Sequence, residues 1–251
     1  MTIHRPTWYK LRTQDNLSSF PCPSCEMGKV RLAEKKLAIV EPQYSINSHG
    51  EYGPEPYSIT QRWAAELKCD EAHCGEIVYL TGDSETVEEE EFHEEYGISF
   101  NYIEALRIRT VFPPLPIFKI SNSVPKRVKD QLLLAFQIYW TDTSACVARL
   151  RTAIEAMLDE QSVVTKGIDK NQKPYRLNLS QRIDAFTQGL DLKTELQGLR
   201  NIGNLGTHGN DNVEDDDLFD AFDVLEHVLN GVYNKKLILN KASKLSAKKS
   251  K

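Results

Sequence analysis

The hydrophobic pattern changes period near the middle of the chain. In the first half, apolar and polar residues alternate in short runs. "RWAAELKC" (residues 62–69) and "GEIVYLTG" (75–82) read as strands leading into and out of cysteine pairs. "GKVRLAEKKLAIV" (28–40) alternates loosely around a polar break. "DSETVEEEEFHEEYG", with seven Glu and one Asp between Asp83 and Gly97, reads as a solvated segment or helix face. "VFPPLPIFKISNSVP" carries four prolines and no helical period, the pattern of a linker.

Beyond the linker the period is helical. Ser123 and Pro125 mark the start of a helix running to about Tyr139. Thr141 or Asp142 caps a second, with Cys146, Leu150, Ile154 and Met157 on one stripe. "VTKGIDKNQKPYRLN" reads as a polar loop. Ser180 opens a third helix (Ile183, Phe186, Leu190) and Asp191 a fourth (Leu192, Leu196, Leu199, Ile202). A fifth begins in "EDDD", whose acids suit the positive end of the helix dipole, and carries Leu218, Phe222, Leu225, Leu229 and Val232. The expected organisation is a β-rich unit over 1–110, a proline-rich linker over 111–122, a helical unit over 123–235 and a basic tail over 236–251.

Composition adds limits rather than detail. At 251 residues, with 40% hydrophobic and 27% charged side chains, the chain is long enough for one large domain or two small ones and is not of disordered type. Its start, "MTIHRPTWYKLRTQ", has no apolar core of the signal-peptide kind, and "QLLLAFQIYW" is too short to span a bilayer. A cytoplasmic protein with no membrane partner is expected. The net charge of −5 is unevenly spread: residues 1–120 hold 12 basic and 19 acidic side chains, residues 121–251 hold 19 and 17. The last 17 residues carry seven Lys and no acid, and read as a solvated end before they read as a contact for phosphates.

Five cysteines in a reducing compartment favour a metal over disulfides. Cys22-Pro-Ser-Cys25 and Cys69-Asp-Glu-Ala-His-Cys74 are two paired knuckles, and each pair can turn back onto one tetrahedral Zn²⁺. Four thiolates leave no open position, so the zinc expected here is structural. His73 competes with Cys74 as a ligand, and the 43 residues between the pairs exceed a minimal ribbon. Cys146 lies on an apolar stripe and reads as core.

The fourth helix carries the densest polar chemistry, "GLRNIGNLGTHG". Arg200, Asn204 and His208 recur every fourth residue, about 6 Å apart along the axis, on the flank away from the leucine stripe. Gly203 and Gly206 each cost about 1 kcal/mol against Ala in a helix interior, which points to close approach by a helix, a subunit or a phosphate. Arg beside His can support RNA cleavage without a metal: the guanidinium holds a phosphate oxygen and the imidazole moves a proton. The plainer reading is that Asn204 caps or bridges helices and His208 bonds a loop. Arg151 and Glu155, an i, i+4 pair on the second helix, read as a supporting ion pair or an ordinary packing pair.

Four segments in order, "VPKRVKDQLLLAF", "ACVARLRTAIEAML", "LRNIGNLGTH" and a helix ending in "VLNGVY", resemble the domain-of-unknown-function 4145 family over roughly residues 120–235. That family is placed among the HEPN-like helical domains, commonly with a zinc-ribbon-like segment in front. The resemblance implies an α+β chain: a small zinc-ribbon-like β unit followed by an all-α HEPN-like helical bundle. It also implies a homodimer, RNA or other nucleic acid or a protein as partner, and a place in anti-phage or restriction-linked defence. HEPN ribonucleases carry an Arg, a polar residue and a following His. Here Arg200 and Asn201 fit the start, and His208 follows after seven intervening residues, a longer spacing than the family's. Asn204 belongs to the unknown-function family's own pattern. The candidate catalytic set is therefore Arg200, Asn201, Asn204 and His208, for a metal-independent endoribonuclease. The alternative is a non-catalytic adaptor or nucleic-acid-binding module.

Overall fold

The computed structural model describes residues 3–17, 19–25, 27–51, 53–93, 97–206 and 213–246. It divides into a sheet unit, His4–Leu115, and a helical unit made of Pro116 onward together with Ile3. Ile3 joins the helices because its amide donates to Asp223 Oδ1 at 2.8 Å.

The sheet unit is built on six antiparallel strands: β1 (Leu11–Arg12), β2 (Phe20–Pro21), β3 (Lys29–Val40), β4 (Arg62–Cys69), β5 (Ile77–His93) and β6 (Gly97–Phe112). Their order is β1-β6-β5-β4-β3-β2. A single turn, α1 (Gln43–Ile46), lies in the β3–β4 connection. β4 shows why the sheet has one wet face: Trp63, Ala65, Leu67 and Cys69 are buried, and Arg62, Ala64 and Lys68 between them are exposed. Leu17, Phe20, Val30, Val78, Leu80, Ile108 and Val111 complete the dry side. The polar break in β3 is a bulge. The register with β4 slips between Leu32 and Leu37, and Lys35 there takes a left-handed φ of 57°.

This overturns the expected fold class on its N-terminal side. The unit is a curled six-stranded half-barrel sheet, not a small zinc ribbon. The insert between the cysteine pairs supplies most of β3 and β4, and the acidic run is strand from Asp83 to His93, exposed along Glu88–Phe92, rather than a helix face. β5 tolerates its glutamates because β6 sets no acid opposite them. Glu88 faces Tyr102, Glu89 faces Asn101, Glu90 faces Phe100 and Glu91 faces Ser99, while Glu85 pairs with Arg107.

The helical unit comprises α2 (Lys126–Ile138), α3 (Thr143–Glu160), α4 (Leu179–Phe186), α5 (Lys193–Leu205), α6 (Asp215–Leu229), a π-helical turn (Asn230–Asn234) and α7 (Lys235–Ser246). Asp142 caps α3 by accepting from the Ala145 amide at 2.8 Å. Asn178, not Ser180, caps α4, in a capping box with Gln181. Leu192 stands at the N-cap of α5 with no side-chain cap. The stripes meet in one core: Phe136, Cys146, Leu150, Ile154, Met157, Leu196, Phe219 and Phe222 are at most 1% exposed. Cys146 is packed there with its thiol toward the Ala135 carbonyl, 3.3 Å away.

Nor is this side all-α, the second departure from the expected fold class. β7 (Lys166–Ile168) and β8 (Pro174–Arg176) form a hairpin inside the segment that reads as a polar loop. Its turn is set by Asp169, whose Oδ1 accepts the Asn171 and Lys173 amides at 2.8 Å each, with Gln172 at φ 59°. Such local side-chain turns leave no hydrophobic period to read.

Candidate metal centre and polar helical surface

Cys22 and Cys25 lie in the β2–β3 turn, and Cys69 and Cys74 at the end of β4 and in the turn beyond it. The turns meet because β3 and β4 are paired, with Val30 opposite Cys69. All four sulfurs lie within 4.8 Å of one another. Cys22 to Cys74 is 3.6 Å and Cys25 to Cys69 is 3.7 Å. A tetrahedron with Zn–S bonds of about 2.3 Å has edges of about 3.8 Å, whereas a disulfide needs about 2.05 Å.

Backbone amides reach two of the sulfurs. The Gly28 amide donates to Cys25 Sγ at 3.3 Å and the Glu71 amide to Cys69 Sγ at 3.5 Å. Amide hydrogen bonds from Gly28 and Met27 hold the Cys25 thiol down to about 7. Burial pushes the Cys69 thiol up to about 12. Asp70 ties the knuckles together, accepting the Lys29 amide at 2.7 Å and Arg31 Nε at 2.9 Å. The donor set fits a structural metal held by Cys22, Cys25, Cys69 and Cys74. His73 is not one of the clustered ligands.

The polar line of α5 is split between two roles. Arg200 is half-buried, and its Nη1 donates to Oδ1 of exposed Asn201 at 3.0 Å. Asn204 turns to the neighbouring helix and accepts from Arg151 Nη1 on α3, while Arg151 Nε reaches Glu155 at 3.4 Å. His208 lies outside the described residues. The glycines answer to packing with α3. A Cβ on Gly203 would stand 2.8 Å from Arg151 Cβ, and one on Gly206 would run into the Ser144 carbonyl and Val147.

The helical unit also holds a cavity of about 930 Å³ framed by α2, α3, α4 and the β7–β8 hairpin. Its cations are Arg127, Arg151, Lys166, Arg176 and Arg182. Apart from Arg151, none of them stands out in the sequence. They are scattered along 56 positions with no common spacing, and Arg182 sits on α4 beside buried Ile183 although Arg is rarely buried.

Residues 134–250 match the family model described as Domain of unknown function (DUF4145), and residues 10–109 match a separate model described as Domain of unknown function (DUF8608). The first match supports the resemblance of the helical segment to that family. No curated protein and no solved structure matches significantly.

Proposed function

We propose that the chain is a zinc-stapled, HEPN-like RNA-binding protein of prokaryotic defence, with the α5 surface as its RNA contact. One observation carries the reading: Arg200 and exposed Asn201 form a bonded pair on α5, which Asn204 braces against α3 through Arg151. A guanidinium held at a fixed position on a braced helix grips a phosphate oxygen with little further ordering.

Cleavage is the stronger form of the proposal and rests on His208. The 2′-oxygen attacks phosphorus and the P–O5′ bond breaks. One proton leaves the 2′-hydroxyl for a base and another reaches the departing 5′-oxygen, yielding a cyclic phosphate. The test is RNA binding and cleavage by zinc-loaded protein in magnesium-free buffer. Arg200→Ala is expected to weaken binding at least fivefold, and His208→Ala to abolish any cleavage. Equal RNA affinity of Arg200→Ala and parent overturns the reading.

A second reading has its own observation. Asn204 and the two glycines serve the α3–α5 contact directly, which suits a non-catalytic adaptor. Under it, Arg200→Ala and His208→Ala change melting temperature or self-association and leave RNA affinity alone.

A further inference from the structure

We propose that the cavity between α2, α3, α4 and the β7–β8 hairpin binds a small polyphosphorylated molecule, of the class of nucleoside triphosphates. Arg151 lines it and also braces Asn204, but Arg200 and Asn201 of the α5 surface do not line it, and the inference does not rest on the assignment of that surface to RNA.

Charge is the first argument. Five cationic side chains and two carboxylates, Glu155 and Asp159, line the cavity. Both carboxylates are already engaged. Asp159 takes Arg182 Nη2 at 2.6 Å on one oxygen and Arg127 Nη2 at 2.9 Å on the other. Glu155 takes Arg151 at 3.4 Å. Lys166 and Arg176, on paired strands, have no side-chain hydrogen bond or ion pair among the described residues. Unpaired like charges around a concavity repel one another and concentrate positive potential there, which an entering polyanion relieves.

Arg182 is the second argument. It is only 8% exposed, and its buried Nε has no acceptor. A buried guanidinium left incompletely bonded is costly, and a Leu or Met at that position of α4 would fill the core without the cost. The arrangement makes sense where the charge has work at the wall it lines. α4 adds to it, since its first residue, Leu179, and its cap, Asn178, also border the cavity and bring the positive end of the helix dipole to the wall.

Size and an aromatic neighbour suit the ligand class. About 930 Å³ falls in the range of small-molecule pockets, about 300–1,000 Å³. Tyr175, 40% exposed, also lines the cavity and offers an aromatic face for a base.

The test is calorimetric titration of zinc-loaded, full-length protein at low salt with ATP, with inorganic tripolyphosphate, and with an RNA octamer lacking terminal phosphates. ATP and tripolyphosphate are expected to bind. The double variant Lys166→Ala/Arg176→Ala should weaken both at least tenfold without moving the ligand-free melting temperature, because neither side chain has a partner to lose. Arg200→Ala should leave ATP binding unchanged whatever it does to RNA, so the two proposals fail separately. Absence of binding by ATP and tripolyphosphate, or equal binding by the double variant, overturns the proposal. So does an octamer that binds alone and is lost in the double variant, for the cavity is then part of an RNA track.

Discussion

Three glycines separate packing from helix propensity. A Cβ at Gly28 would lie 2.6 Å from Cys69 Sγ and 2.9 Å from Glu71 Cβ, so Gly28→Ala pushes the two knuckles apart. Its metal affinity, read by competition with a chromogenic chelator, is expected to fall at least tenfold, the scale of a lost supporting contact. Gly203→Ala drives a methyl into Arg151 Cβ across the α3–α5 contact and should cost about 1–3 kcal/mol in urea unfolding. Gly198 lies on the same helix with nothing within 4 Å of its added Cβ. Gly198→Ala should therefore stabilise by about 0.5–1 kcal/mol, so one helix gives opposite signs five residues apart. At Asp83 the physics is electrostatic. A hydrogen bond from Arg109 holds its carboxyl below the usual carboxylate range. A depressed folded-state value stabilises above the unfolded pKa, about 3.9, and that contribution is lost as pH falls below it. In Arg109→Ala, melting temperature should fall less steeply with acid below about pH 4 than in the parent.

At the scale of elements, β5 is held unevenly along its length. From Tyr79 to Asp83 it is flanked by β4 and β6; from Glu85 onward its ladder is with β6 alone, and β1 pairs only with Leu106 and Arg107 of β6. Phe92, Ile98, Phe100 and Tyr102 on the outer part are at least half exposed. A two-stranded ribbon with little burial opens locally at small cost. Amide hydrogen exchange should therefore be faster at 86–92 than at 78–82, by at least tenfold on average. Equal protection would mean that the ribbon is covered in solution. The same reasoning explains the acidic run. A strand is chosen by its partner, and β6 presents an uncharged stretch, Gly97–Ile103, where the glutamates need one. The Lys-rich end, by contrast, continues as helix to Ser246.

For the whole chain, the metal centre has the widest reach. Two turns that begin and end four strands meet at four sulfurs, with 43 residues between Cys25 and Cys69. A closed thiolate site contributes directly to folding free energy. Zinc-loaded protein should carry one equivalent of metal, released by a thiol-blocking mercurial and read with a chromogenic chelator. The Cys22→Ser/Cys69→Ser variant should bind less than a tenth of an equivalent and unfold at lower temperature.

What the sequence determines by itself is what short spacings encode. The cysteine pairs announce a four-sulfur cluster because two ligands a few residues apart share a turn. The helical stripes announce α2 to α6 because a 3.6-residue period is written locally. Only the tertiary structure decides the rest. A polar loop becomes β7–β8, an acidic run becomes β5, and Asn204 serves a helix contact, since its partner Arg151 lies 53 residues away. Arg182 likewise meets Asp159 across 23 residues. Polar side chains and edge strands take their meaning from partners remote in the chain, and local periodicity carries no record of who those partners are.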